Sequence, residues 1–287
     1  MLQFLHDKHT EGKSPSSVGV YKAALSNTLK PIEGYQIGSH PHVLTFFKGM
    51  CNSRPRKYKK LPRWKVQDVL NTLTSWGPNN ELTRKQLTYK TTMLLALTSG
   101  ARCSELAALD TTRLHHHHGI GIEFELTNHK KTKRSNVLPG KLSIPTFGDV
   151  NPIICPVATL EQYLLKTDRL GHLFYCQGEE ITTPADTADP LLRRLVAPFT
   201  KVTPKTISRW LTAVIAESTE NISSDHNIGH STRSKAATEA AFKGLTITDI
   251  MKAAEWQSET VFHNHYYQPS FDTRFGRAVL GENALGS

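Results

Sequence analysis

The chain is poor in the features that mark secreted, membrane-spanning or zinc-binding proteins. Its four cysteines, Cys51, Cys103, Cys155 and Cys176, are far apart, and none belongs to a Cys-x-x-Cys pair. Isolated cysteines of this kind are typical of reduced intracellular thiols and do not outline a disulfide framework or a zinc site. No apolar run reaches membrane-spanning length, and the N-terminus has no signal-peptide pattern. We therefore expect a soluble protein that is not secreted.

Metal ligands are also scarce in the sequence. Four consecutive histidines occupy positions 115–118, but no carboxylate or cysteine accompanies them at the spacing of a metal site. We interpret them as a solvent-facing loop, and we predict no metal ion and no other cofactor.

Acidic residues are outnumbered by basic ones. The 287 residues include 25 Asp and Glu against 35 Lys and Arg, which gives a formal net charge of +10. Such a surplus favours a polyanionic partner, most simply nucleic acid, although a basic enzyme with another substrate would share it. The length allows one large domain or two modest ones with a sizeable core.

The first 50 residues have the apolar spacing of helices. Ser14 and Pro15 form a helix start, and Val18, Tyr21 and Leu25 follow at helical intervals. The earliest helix has no capping residue before it, which favours an N-terminus that is trimmed relative to the natural protein.

Residues 51–65 differ in character, because they contain two prolines and seven basic residues. This composition predicts an exposed, extended linker between two compact regions. A charged linker is often merely solvated, but in a basic protein we predict that its cations contact phosphates. These cations are Arg54, Arg56, Lys57, Lys59 and Lys60.

An apolar stretch at residues 93–97 predicts a buried helix that runs from about Arg84 through Thr98 and is ended by Gly100. Arg102 then opens another helix close to the core, where a guanidinium group needs an anion or a carboxylate partner. Two partners remain open at this point, namely a bound phosphate and the carboxylate of Glu105.

Residues 119–146 alternate apolar and polar side chains, as strands do. Between the first two predicted strands, residues 128–135 form a hairpin tip with four basic residues. A basic tip can reach a DNA groove or a scissile phosphate, and an ordinary solvated turn is the alternative. Residues 177–200 are predicted to be a loop with little regular structure.

Three later segments are predicted to be helical. Thr203 and Pro204 begin a helix with Lys205 and Arg209 off its apolar face, which suits a DNA major groove, although such helices can also merely pack on a core. Further helices begin at residues 231–232 and 246–248.

His230 and Arg233 are three residues apart at one of these helix starts and therefore share a face. Arg233 can offer phosphate oxygens a planar fork of donors, and His230 adds one more. Trp256 and Tyr266 follow, and Phe262 can pack inward and hold the ring of Tyr266. By itself the His-x-x-Arg pair also fits an ordinary helix surface.

The combination of these residues resembles the tyrosine recombinases, whose pattern is Arg, Lys, His-x-x-Arg, His or Trp, and Tyr. The matching positions are Arg102, Lys131, His230, Arg233, Trp256 and Tyr266. The resemblance covers nearly the whole chain. Residues 155–157, 206–210 and 249–256 are most similar to the integrases of DIRS-like and Ngaro-like retrotransposons.

This resemblance implies a mainly α fold with a small antiparallel β-sheet and a two-domain architecture. Residues 1–50 would form a helical core-binding domain, residues 51–60 a basic linker, and residues 61–287 a mixed α/β catalytic domain. Both domains would bind double-stranded DNA, and recombination would assemble a homotetramer on it. The similarity to eukaryotic mobile elements implies a nuclear location.

The chemistry implied is transesterification at a DNA phosphodiester. Tyr266 would attack the phosphorus, expel a 5′-hydroxyl and leave a 3′-phosphotyrosine, which conserves bond energy without ATP. Phage enzymes place the nucleophile nine residues after the His or Trp, whereas Tyr266 lies one residue further on, as in the retrotransposon branch. Tyr267 therefore stays open as the nucleophile.

The other site residues would serve the same step. Four hydrogen-bond donors would stabilise the negative charge that develops on the phosphate in the transition state. They are the side chains of Arg102, Arg233, His230 and Trp256. Glu105 would orient Arg102. Lys131 would protonate the leaving oxygen. Lys130 and Lys133 are alternatives for that role and are also predicted DNA contacts.

Two other functions stay open. A nicking-closing enzyme similar to type IB topoisomerases would use the same active-site chemistry, and site-specific strand exchange would distinguish a recombinase from it. A domesticated DNA-binding protein that has lost catalysis is the other alternative.

Overall fold

The computed structural model describes residues 1–55, 64–126, 140–169, 188–219 and 228–254, with residues 256, 259, 260 and 262. Within these residues the protein is mainly helical with one three-stranded antiparallel sheet, which confirms the predicted fold class. The chain divides into two compact units, Met1–Leu61 and Pro62–Ser287. None of the described helices is long and apolar enough to cross a membrane.

The first unit contains helices α1 (Leu2–Thr10), α2 (Pro15–Thr28) and α3 (Pro41–Ser53). The predicted start of α2 is confirmed, since the Ser14 hydroxyl accepts a hydrogen bond from the backbone N–H of Ser17. The core of this unit consists of the buried side chains of Leu5, Val18, Val43 and Met50.

The predicted linker, residues 51–60, begins inside helix α3. Its first three residues complete the last turn, where the Ser53 hydroxyl and the Arg54 backbone N–H both donate to the carbonyl of Met50. The predicted start of the linker is therefore corrected, because residues 51–53 are helical. Polar residues can complete the last turn of a helix, and a proline disfavours helical backbone only at the residue directly before it.

The second unit is built on seven described helices. They are α4 (Val66–Ser75), α5 (Arg84–Ser99), α6 (Cys103–Leu106), α7 (Pro156–Lys166), α8 (Pro204–Ser218), α9 (Thr232–Phe242) and α10 (Ile247–Ala253). Helix α5 is the central one, and it contacts α7, α8, α9 and the sheet. A capping box of Thr83 and Gln86 begins it, and left-handed Gly100 (φ 59°) ends it as predicted.

The sheet has the order β1-β2-β3, with β1 (Leu114–His117), β2 (Gly121–Leu126) and β3 (Gly140–Pro145) all antiparallel. Alternation along β2 and β3 buries Ile122, Phe124 and Ile144. The strand prediction for these segments is confirmed, and residues 127–139 lie outside the described part.

The prediction of a loop for the four histidines was wrong for three of them. His115, His116 and His117 belong to edge strand β1 and pair with β2 in register. Four identical residues cannot show the alternation of apolar and polar side chains that predicts a strand. This strand forms because β2 offers its backbone hydrogen-bond partners, which the sequence does not show.

The described part of the predicted loop at 177–200 confirms its irregular backbone. Residues 188–200 contribute isolated bridges between Asp110 and Pro190 and between Arg193 and Lys201. Leu191 and Leu192 are nevertheless fully buried and belong to the hydrophobic core of the second unit.

Candidate active site

Arg102 lies at the start of α6, directly after the turn that ends α5. Its Nη1 donates to Glu105 Oε1 at 2.5 Å, and its backbone N–H donates to Glu105 Oε2 at 2.7 Å. The Arg102 side chain keeps 51% of its surface exposed, whereas that of Glu105 keeps 13%. The ion pair therefore orients Arg102 while leaving much of the guanidinium accessible to a second anion.

Arg233 lies in the first turn of α9 and is 4% exposed. Its Nη1 donates to the Gly100 carbonyl and its Nη2 to the Ala254 carbonyl, the latter at 2.7 Å. The same Nη1 lies 3.8 Å from Glu105 Oε2. These contacts fix the guanidinium against the ends of α5, α6 and α10.

Glu105 is thus shared by two arginines from distant parts of the chain. Its carboxylate contacts Arg102 on one side and Arg233 on the other. One negative charge between two guanidinium groups leaves a net positive charge, so the arrangement favours a further anion beside it. The sequence suggested the first contact as an alternative to phosphate, and it contained no signal for the second.

Trp256 is 8% exposed and packs beneath Arg233, whose guanidinium carbon lies 4.2 Å from the ring centroid. Phe262 is fully buried and meets the indole edge-on, with ring centroids 4.8 Å apart. The prediction that Phe262 packs inward is confirmed. A cation–π contact of this kind holds Arg233 in place, which is a role for Trp256 that the sequence did not indicate.

A small cleft opens beside Arg233 and Glu105. Its walls are Ser99, Ala101, Glu105, Leu126, Lys141, Leu142, Arg233, Ala253 and Ala254. Lys141 on β3 donates to Glu123 at 2.7 Å, and this hydrogen bond raises the pKa of the Lys141 ammonium group. Sequence reasoning missed Lys141, although the alternation of β3 placed it opposite the buried face.

His230 belongs to a single 3₁₀ turn, Ile228–Ser231, that leads directly into α9. Its side chain is not among the described residues. Gly229 of this turn presses against α8, where a Cβ atom would stand 2.5 Å from the Ser208 carbonyl oxygen. Only glycine permits so close an approach, which fixes the backbone next to His230.

Several residues with predicted chemical roles lie outside the described residues. They are Tyr266 with its alternative Tyr267, and Lys131 with its alternatives Lys130 and Lys133. Leu126, the last described residue before the segment predicted to be a hairpin tip, lines the cleft. The described geometry thus brings together Arg102, Arg233 and Trp256, and adds Glu105 to them.

The predicted DNA contacts are described only in part. Arg54 donates to the carbonyls of His9 and Lys13, both at 3.1 Å, within the first unit. Lys205 and Arg209 are exposed in the first two turns of α8. Arg56, Lys57, Lys59 and Lys60 lie outside the described residues, and all of these contacts stay predictions.

The described side chains offer no obvious metal site. Among them, no three His, Cys, Asp or Glu residues gather closely enough to hold an ion. Two residues that line the cleft, Arg233 and Lys141, are cationic, and Arg102 pairs with a third, Glu105.

Neither a protein-family model nor a curated protein sequence matches this chain. Solved structures do match it. The Tn1549 transposon integrase in complex with transposon right end DNA aligns with a TM-score of 0.54 and 16% identity, over 98% of this chain and 83% of that one. The fold is that of the tyrosine recombinases.

Two further tyrosine recombinase structures illustrate the likeness. The Tn1549 integrase with circular intermediate DNA gives a TM-score of 0.52 at 13% identity, over 97% of this chain and 83% of that one. The XerH site-specific recombinase bound to its difH substrate gives 0.50 at 11% identity, over 94% and 70%. At these identities the likeness concerns the fold, and the roles of individual residues depend on the geometry of the site.

Proposed function

We propose that this protein is a site-specific DNA recombinase that cuts and rejoins DNA through a 3′-phosphotyrosine intermediate. The observation that carries the proposal is the convergence of Arg102 and Arg233 on Glu105, beside a cleft, in a tyrosine recombinase fold. Two oriented guanidinium groups can grip one phosphate with charge-assisted hydrogen bonds.

The named residues divide the reaction among them. The phenol of Tyr266 releases its proton to solvent and forms a bond to phosphorus, while the bond from phosphorus to the 5′-oxygen breaks. Lys131 supplies the proton that this oxygen takes up. Arg102, Arg233 and His230 stabilise the charge that develops on the non-bridging oxygens.

The second half of the reaction reverses the first on a new strand. A 5′-hydroxyl of the partner strand gives its proton to the neutral Lys131 and attacks the phosphotyrosine, and Tyr266 leaves as a phenol with a proton taken from solvent. No phosphoanhydride is consumed, because the covalent linkage keeps the energy of the original bond. Exchange between two duplexes involves four strands, so we propose a homotetramer on double-stranded DNA.

We propose further that the chain integrates a mobile element of the DIRS-like or Ngaro-like retrotransposon group and acts in the nucleus. The sequence motifs around Cys155, Trp210 and Trp256 support this narrower proposal. So does the spacing of Trp256 and Tyr266.

One observation favours a second candidate, a DNA-binding protein without catalysis. Arg102 is already paired with Glu105 at 2.5 Å, which is the arrangement of a purely structural ion pair. The exposure of half of the Arg102 side chain favours the catalytic interpretation, because a structural pair gains nothing from an accessible guanidinium.

A nicked suicide substrate distinguishes these candidates. When the cleaved strand carries a nick near the cleavage site, the short fragment that carries the new 5′-hydroxyl diffuses away and the phosphotyrosine accumulates. We expect wild type to form a protein–DNA adduct with substrates that carry the correct element termini, and Tyr266→Phe to bind them without forming it. Binding with no adduct from wild type on any substrate would favour the non-catalytic candidate. Relaxation of supercoiled DNA without strand exchange would favour a topoisomerase.

A further inference from the structure

Trp64 makes an unusual long-range contact with the turn that contains His230. Its side chain is 1% exposed, and its indole Nε1–H donates to Ser231 Oγ at 2.8 Å. Ser231 is 8% exposed and stands between His230 and the first residue of α9. A buried indole therefore bonds directly to the residue that follows His230.

The hydroxyl of Ser231 cannot be replaced without affecting the turn. It accepts the indole hydrogen and donates its own to the Ile228 carbonyl at 2.6 Å. The Ser234 hydroxyl in turn donates to the Ser231 carbonyl at 2.9 Å. Both hydrogen bonds of the Ser231 hydroxyl are buried, so the loss of either partner leaves a polar group unsatisfied.

The turn is therefore held from two sides. Gly229 rests on the Ser208 carbonyl of α8, and Ser231 is bonded to Trp64. Arg233 follows within the same helical turn and must meet Glu105, Gly100 and Ala254 at the same time. A shift of the turn would displace His230 and Arg233 together.

We propose that Trp64 is a positioning residue for the phosphoryl transfer. Its indole N–H holds Ser231 and, through Ser231, keeps His230 and Arg233 in register with Glu105. Trp64 touches neither the DNA nor the reacting atoms in this scheme. The inference rests on the proposed recombinase function and adds a residue from the start of the second unit to the machinery of that site.

The test compares Trp64→Phe, Ser231→Ala and the double variant in single-turnover cleavage of the suicide substrate at saturating DNA. Phenylalanine keeps an aromatic ring and removes the N–H, and alanine removes the acceptor. We expect each single variant to cleave about 10-fold to 100-fold more slowly, because misplacement by about 1 Å can reduce a rate by that order. DNA affinity should stay within about twofold of wild type. The double variant should be no slower than the slower single variant, since both remove the same hydrogen bond.

Trp76 provides a matched control within the same unit. Its indole Nε1 donates to Glu217 Oε1 at 2.7 Å, away from the cleft residues. Trp76→Phe removes an indole hydrogen bond in the same way and should leave the cleavage rate unchanged. All measurements are made well below the unfolding temperature of each variant, so a loss of stability alone does not change the rate.

The outcomes separate this inference from the function on which it rests. If wild type forms the adduct and Trp64→Phe and Ser231→Ala cleave at its rate, or if their effects add in the double variant, Trp64 is structural and the inference is wrong. If Trp76→Phe is slowed as much as Trp64→Phe, the effect is not specific to the turn, which also contradicts it. If wild type forms no adduct, the proposed function fails and the inference fails with it.

Discussion

Replacing Arg233 by lysine tests the site at its most constrained point. The guanidinium of Arg233 serves two backbone carbonyls, one carboxylate and one indole ring at once. A lysine ammonium group is a point charge on a flexible chain and cannot reproduce the planar fork. The positive charge survives in Arg233→Lys, so the variant removes geometry and keeps electrostatics.

Two separate losses are expected from this change. Removing one oriented donor to the transition state costs about 2.7–4 kcal/mol, which corresponds to cleavage slower by about 10²–10³-fold. Leaving the buried carbonyls of Gly100 or Ala254 without a donor costs about 1–3 kcal/mol of folding stability for each carbonyl. We therefore expect Arg233→Lys to be less stable than wild type and to cleave far more slowly.

Arg102→Lys separates the two losses, since Arg102 is half exposed and its pair with Glu105 is worth about 0–1 kcal/mol of stability. It should keep the unfolding temperature of wild type and still lose most cleavage. The assay is the single-turnover rate at saturating DNA, with thermal unfolding and DNA affinity measured on the same samples. Cleavage at the wild-type rate by both lysine variants would show that the two arginines are structural and do not stabilise the transition state.

Two other predictions concern DNA affinity and stability. Neutralising the linker cations Arg56, Lys57, Lys59 and Lys60 should weaken DNA binding. It should also reduce the slope of log affinity against log salt concentration by roughly one unit per lost phosphate contact. An unchanged slope in a salt titration would mean that the linker does not touch DNA. Lys90 is fully buried, and burial lowers the pKa of its ammonium group to about 8, compared with 10.5 in the unfolded chain. Between these two pH values the unfolded state binds more protons than the folded state. The free energy of unfolding therefore rises with pH, by about 3 kcal/mol in total. Lys90→Met should be more stable than wild type at pH 7 and should lose this rise; chemical denaturation that shows the rise intact in the variant would contradict the assignment.

Local signals in the sequence predicted several of the described helices and strands of the second unit. Thr203 with Pro204, and Gly100, mark helix ends through hydrogen bonds and backbone angles that involve near neighbours. The alternation of β2 and β3 is equally local. Edge strand β1 was missed because its pairing, and not its own composition, makes it a strand.

The site was predictable in its residue types and not in its contacts. Arg102 and Glu105 are three residues apart, so their ion pair was one of the two partners foreseen. The contacts of Arg233 with Glu105 and of Trp64 with Ser231 join residues more than one hundred positions apart. Tertiary packing decides such contacts, and one sequence without its fold contains no local pattern for them.

The most direct test of covalent DNA cleavage is identification of the amino acid that becomes linked to DNA. Wild type is trapped on a suicide substrate, digested, and the peptide that carries the nucleotide is sequenced by mass spectrometry. We expect the nucleotide on Tyr266, an adduct from Tyr267→Phe and none from Tyr266→Phe, with DNA binding retained in both variants. A nucleotide on Tyr267, or a robust adduct from Tyr266→Phe, would contradict the choice of nucleophile, and no adduct from wild type on any substrate would contradict the function itself.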